Sequence, residues 1–109
     1  MRSVVLVDFG FGVHPALVLT PDWRRRESEN VTVVPGQTGR AGMRSMFYAG
    51  PEAGLDHETA FDFHAITTVK ASRVGREIGL LRPDREREVL DAVARSLDLV
   101  LPETQADWA

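Results

Sequence analysis

The chain has 109 residues, 43% hydrophobic and 27% charged, which is the make-up of a folded globular protein rather than a disordered one. Thirteen Lys and Arg against sixteen Asp and Glu give a net charge of −3 at pH 7, which excludes a strongly basic, histone-like binder. The absence of cysteine excludes disulfides, thiolate zinc sites, iron–sulfur clusters and thiol catalysis.

Val4 to Val7 is a β-branched run ending at Asp8, and Gly10 and Gly12 behind it predict a strand followed by a tight turn. His14-Pro15 is excluded from a helix interior, because proline pushes the residue before it into an extended conformation. Ala16 to Thr20 reads as a second strand, ended by Pro21-Asp22, with a polar loop over Trp23 to Asn30. Val31 to Val34 reads as a third strand, stopped by Pro35-Gly36, and Gly36, Gly39 and Gly42 mark another loop. Ser45 to Ala49 is strand-like, and Gly50 to Asp56 is a turn. Over Thr59 to Val69 the apolar Phe61, Phe63 and Ala65 alternate with Asp62 and His64, which predicts one strand with one covered face. Gly75 to Leu81 is a further short strand.

The pattern then changes to that of a helix. Pro83 suits a first helical position, and Asp84 and Glu86 complement a helix N-terminus. Val89, Val93 and Leu97, with Leu90 and Ala94 beside them, form an apolar stripe opposite Arg85, Glu88, Asp91 and Arg95. Several short strands and one C-terminal helix point to a small, strongly curved antiparallel sheet or barrel capped by that helix, mainly β in an α+β arrangement.

The length suits a single domain over 1–109. No apolar run approaches the roughly 18 residues of a membrane helix. Val4 to Val7 is too short for a signal-peptide core. A cysteine-free chain suits either redox environment, and the cytoplasm is the default expectation. Charge is uneven along the chain. Arg24, Arg25, Arg26, Arg40 and Arg44 concentrate the basic density in the first half, whereas the last quarter is acidic. Contact with a polyanion is therefore expected from the first half, against the plainer reading of a solvated loop.

Two glycine patterns do not carry phosphate binding. Gly36-x-x-Gly39-x-x-Gly42 lacks a following Lys-Ser/Thr and opens no helix, and Gly10-Phe11-Gly12 precedes a strand, so both read as turn glycines. His57 and His64 form no metal-ligand spacing with a carboxylate pair, and no metal or other cofactor is expected.

In order along the chain, V-V-L-V-D-F-G (4–10), H-P-A-L-V-L-T-P-D (14–22), V-T-V-V-P (31–35), G-L-D (54–56), I-T-T-V (66–69), S-R-V-G-R-E-I-G-L-L (72–81) and a closing helix ending L-D-L (97–99) resemble the MazF/PemK toxins of bacterial toxin–antitoxin systems. The resemblance covers residues 4–99 and implies an SH3-like antiparallel barrel with a C-terminal α-helix, the fold shared with CcdB. It also implies a homodimer, metal-independent cleavage of single-stranded RNA, and a cognate antitoxin that blocks the RNA groove. Departures fall on the chemistry. His14 stands where the family usually has arginine, Gln37 and Thr38 where it has threonine and serine, and Thr67 and Lys70 where it has arginine and aspartate. The segment Gly10 to Val13 is also shorter than the usual loop.

Cleavage through the 2′-hydroxyl needs a base, an acid and a donor or cation for the phosphorane charge. Imidazole suits the first two tasks, so His14 is a candidate acid or base, against a turn histidine left after activity was lost. The resemblance makes Gln37 and Thr38 candidate phosphate donors, with Arg40 restoring the positive charge, against a merely polar glycine-rich loop. Trp23 with Arg24, Arg25 and Arg26 joins an aromatic plane to cations, as single-stranded nucleic-acid binders do, against a tryptophan closing a barrel end beside a solvated loop. Asp62 is the one nearby acid able to replace the missing aspartate. The expected function is an endoribonuclease toxin. The alternative is a catalytically inactive toxin-fold protein that binds an antitoxin, a nucleic acid or a topoisomerase, and a plain barrel adaptor comes third.

Overall fold

In the computed structural model, which describes residues 2–37 and 45–100, the opening β-branched run forms strand β1 (Arg2–Asp8). β2 (Val13–Val18) returns antiparallel to it, with Val4 opposite Leu17 and Val7 opposite His14. The turn between them is closed by the Phe9 N–H on the Gly12 carbonyl at 3.0 Å. Gly10 and Gly12 take φ of +92° and +146°, which a side chain would strain. β2 thus starts before Ala16 and ends at Val18, not Thr20, and takes His14 and Pro15 into the sheet. Proline is tolerated there because it lies near the strand's start. A single helical turn, α1 (Asp22–Arg25), replaces part of the expected polar loop, with the N–H groups of Arg24 and Arg25 both reaching the Pro21 carbonyl.

β3 (Asn30–Gln37) runs straight through Pro35-Gly36 instead of stopping there. One edge pairs with β2. The other edge is shared: β6 (Thr67–Lys70) takes Asn30 to Val33, and β5 (Thr59–Asp62) takes Gly36 and Gln37. Pro35 falls between the two partners on that edge, where no ladder is broken. Gly36 is a point of close approach rather than a turn glycine, because a Cβ there would sit 2.6 Å from Thr59 Cγ2 and 3.0 Å from Phe61 Cε1. β4 (Met46–Ala49) pairs with β5 to complete a ribbon.

The stretch expected as one strand over Thr59 to Val69 is broken by a 3₁₀ turn at Phe63–Ala65. Asp62 causes the break. Its Oδ1 accepts from the His64 N–H at 3.0 Å and the Ser45 hydroxyl at 2.8 Å, a local bond that competes with the ladder. β7 (Val74–Leu81) then pairs with β1, with register shifts on either side of Val5. β6 and β7 lie at opposite ends of the path β6-β3-β2-β1-β7, yet only the 3₁₀ turn Ala71–Arg73 joins them. The sheet must therefore curl round on itself into a half-barrel.

Val5, Val7, Ala16, Val18, Val31 and Val33 fill the hollow of that curl. The other face, carrying Val4, Leu17 and Val34, is covered by Phe47, Phe61 and Phe63 and by helix α2 (Glu86–Leu97). α2 buries Val89, Ala92 and Ala94, whereas Leu90 and Leu97, expected in the stripe, are exposed. Phe61, Phe63 and Val89 are all hidden within one chain. The expected class holds: mainly antiparallel strands in a curled sheet with one C-terminal helix. No helix among the described residues is long and apolar enough to cross a membrane.

Candidate active site

A groove of about 600 Å³ opens where the start of β2, the end of β3, residues 54–57 and β7 meet. His14, Gln37, Asp56, His57, Arg76 and Glu77 supply its polar lining, and Leu6, Pro15, Leu55 and Ile78 its apolar part. Two glycines bring the walls together. Gly54 caps the 3₁₀ turn Pro51–Ala53 with φ +89°, and a Cβ on it would overlap the Ile78 carbonyl oxygen. A Cβ on Gly79 would overlap the Ala53 carbonyl in turn. Only backbones free of side chains at both positions press residues 54–57 against β7.

His14 and Gln37 come together through strand register. Ala16 faces Pro35 across β2 and β3, and continuing that antiparallel pairing brings residue 37 beside residue 14. The His14 ring is half-buried and packs against Phe9 and Phe11, with ring centroids 6.3 and 5.6 Å away. On the opposite wall Glu77 accepts a 2.5 Å hydrogen bond from the Ser3 hydroxyl. Arg76 is exposed and makes no ion pair among the described residues, so its charge is available to the groove. An imidazole, an amide and a guanidinium around one open space, with the Asp56 and Glu77 carboxylates in the same lining, include the groups needed to move a proton beside a phosphate and hold its negative charge.

Other expected site residues lie elsewhere. Trp23, Arg24 and Arg25 stand on α1, and Arg26 caps it, beyond the far end of β2 from His14. Arg24 borders a separate hollow with Ser28, Asn30, Thr32 and Thr68. Trp23 is exposed, so it does not close a barrel end. Thr38, Arg40 and Arg44 lie outside the described residues. Asp62 is engaged in capping the 3₁₀ turn at Phe63–Ala65, and His64 Nε2 lies 2.8 Å from the Ser96 carbonyl, which ties that turn to α2. No group of three or more His, Asp or Glu side chains among the described residues is arranged to hold a metal ion.

Sequence reasoning missed Arg76, Glu77, His57 and Asp56 as groove residues. The available signal was the stretch S-R-V-G-R-E-I-G, which carries Arg76 and Glu77 inside the most distinctive part of the resemblance.

Residues 2–97 match the family of PemK-like, MazF-like toxins of type II toxin–antitoxin systems. Among solved structures, the chain is similar to the Mycobacterium tuberculosis toxin MazF-mt6, at 25% identity and a TM-score of 0.86, covering 92% of this chain and 100% of that one. It is similar to an endoribonuclease solved with its cognate antitoxin from a mycobacterial species, at 25% identity and a TM-score of 0.79, covering 92% and 95% of the two chains. The fold also matches a MazE–MazF structure from Deinococcus radiodurans, at 18% identity and a TM-score of 0.73, over 90% of this chain and 93% of that one. No curated protein matches the chain significantly.

Proposed function

This chain belongs to the PemK-like, MazF-like toxin family of type II toxin–antitoxin systems, and from that premise we propose that it is an endoribonuclease cutting single-stranded RNA in the groove at His14. The observation that carries the reading is the convergence of His14, Gln37 and Arg76 on one open groove. In the proposed reaction the 2′-oxygen attacks phosphorus as a base removes its proton. The bond from phosphorus to the 5′-oxygen breaks as an acid protonates that oxygen, leaving a 2′,3′-cyclic phosphate and a 5′-hydroxyl. His14 serves as one of the two proton carriers, since imidazole exchanges protons near neutrality. Gln37 and Thr38 donate to the phosphate, and Arg76 with Arg40 offsets its developing charge. The mechanism needs no metal.

A cognate antitoxin neutralises the enzyme by occupying this groove, the chain works as a homodimer, and it acts in the cytoplasm as one toxin domain over 1–109. The relative solved with its antitoxin supports the first of these. One observation favours a second reading, a toxin-fold binding protein without catalysis: His14 replaces the arginine usual in the family.

Incubation of the purified protein with a long single-stranded RNA separates the two readings. Cleavage is expected to persist in EDTA, to leave 2′,3′-cyclic phosphate ends, and to stop when the nucleotide 5′ to the cut carries a 2′-deoxyribose. An intact RNA after prolonged incubation overturns the nuclease reading and leaves the binding one.

A further inference from the structure

The turn between β1 and β2 exposes a flat aromatic surface at the rim of the groove. Phe9 and Phe11 stack with centroids 5.8 Å apart and planes inclined by only 15°. Phe9 is half-buried against the barrel core, while Phe11 is 80% exposed. The tight Gly10–Gly12 turn holds the pair, and His14 packs beside Phe11 at 5.6 Å. A ring this exposed buries little apolar surface for the fold, and it extends a stack whose inner member is already anchored. Arg73 lies against the same turn, its Nη1 donating to the Asp8 carbonyl at 3.3 Å and standing 3.9 Å from the Asp8 carboxylate, an exposed pair that leaves the rest of the guanidinium open to solvent. A stacked ring with a guanidinium beside it is the combination by which proteins hold single-stranded nucleic acid, the ring taking a base and the cation its phosphate.

We propose that Phe11 is a stacking platform for a nucleobase of the RNA, set next to the nucleotide whose phosphate enters the groove at His14. The inference rests on the RNA reading above and adds a binding residue to it. Phe11 continues the Phe9–Phe11 stack by one base, and that base fixes the register of the strand relative to the imidazole. The contact is tolerant of base identity, because every base offers a π face.

The test compares two uncleavable chains, a 2′-O-methyl oligoadenylate and the same 2′-O-methyl ribose-phosphate backbone without bases. Wild-type protein is expected to bind the base-bearing chain more tightly. Phe11→Leu should weaken that binding about 5- to 100-fold, the worth of one base–aromatic stack. It should leave affinity for the base-free chain and the salt dependence unchanged, and Phe11→Trp should restore the preference. Because Phe11 is so exposed, Phe11→Leu is expected to keep the wild-type melting temperature, which is checked alongside. Equal wild-type affinity for the two chains overturns the stacking role while the RNA reading stands. Failure to bind either chain overturns both. If Phe11→Leu keeps the full preference for bases, the ring is not the stacking platform and the proposal is wrong.

Discussion

His14 sits where two demands meet. Strand pairing fixes its backbone opposite Val7, and Phe9 and Phe11 flank its ring, so the imidazole is held at the rim of the groove rather than swinging in solvent. His14→Ala should lower the cleavage rate by about 10²–10⁴, the usual worth of a positioned acid or base, with little change in melting temperature. His14→Arg discriminates between roles. It should retain activity if the position works as a phosphate-binding cation, and lose it if proton transfer is the task. A His14→Ala protein that cuts at the wild-type rate removes His14 from the mechanism. His14 and Gln37 were legible as groove residues because the family resemblance marks their positions, beside strands whose place in the chain order is plain. Arg76, Glu77 and His57 were not, because they reach the groove only through the contact of Gly54 with Gly79, between segments far apart in sequence.

At the scale of elements, the sequence showed what exists better than where it stops. The strand expected across Thr59 to Val69 kept period two through Phe63, but the Asp62 side chain bonded the His64 N–H and turned the chain. The helix stripe drifted for a geometric reason. At 3.6 residues per turn, eight residues advance about 80° round the axis, so Leu97 leaves the face that Val89 buries, and Ala92 and Ser96 occupy it. α2 is fastened at its start by Arg85, whose guanidinium lies 4.8 Å from the Phe47 ring centroid. Arg85 donates to the Tyr48 carbonyl at 2.7 Å, to Glu52 at 2.8 Å and to Glu88 at 2.7 Å. The Gly50 N–H, helped by Glu52's own N–H and by Arg85, holds the Glu52 carboxyl below its usual 4.5, and the Arg85 hydrogen bond does the same for Glu88. A carboxyl with a depressed folded value contributes stability that is complete above its unfolded value and is lost as pH falls through the folded one. The melting temperature should therefore fall on acidification below about pH 4.5. Both carboxylates are half-exposed, so each contributes modestly. Arg85→Ala should lower the melting temperature at pH 7 and flatten the acid limb. An unchanged limb would show that Arg85 does not set these carboxyls.

Over the whole molecule, a net charge of −3 repels RNA, so the RNA binding proposed above requires local basic groups. Arg76 lines the groove and Arg73 lies against Asp8 at the β1–β2 turn, while Arg24, Arg25 and Arg26 gather at α1. Between them lies the length of β2, about 13 Å from His14 to Val18 at 3.3 Å per residue, before the chain reaches α1. A short oligomer that fills the groove cannot touch both groups, whereas a longer strand can cross the sheet to α1. Counterion release gives log affinity a slope of about −0.7 against log salt for each phosphate contacted on a single strand. Replacing Arg24, Arg25 and Arg26 together by alanine should leave the slope for a three-nucleotide chain unchanged. For a chain of fifteen nucleotides or so, the slope should become shallower by about 0.7 for each phosphate that α1 no longer neutralises. If the triple variant changes neither slope, the arginines of α1 are a solvated turn, and the RNA path is confined to the His14 end of the barrel. If it changes both equally, the strand does not lie along the sheet from the groove, and α1 is itself the primary binding site.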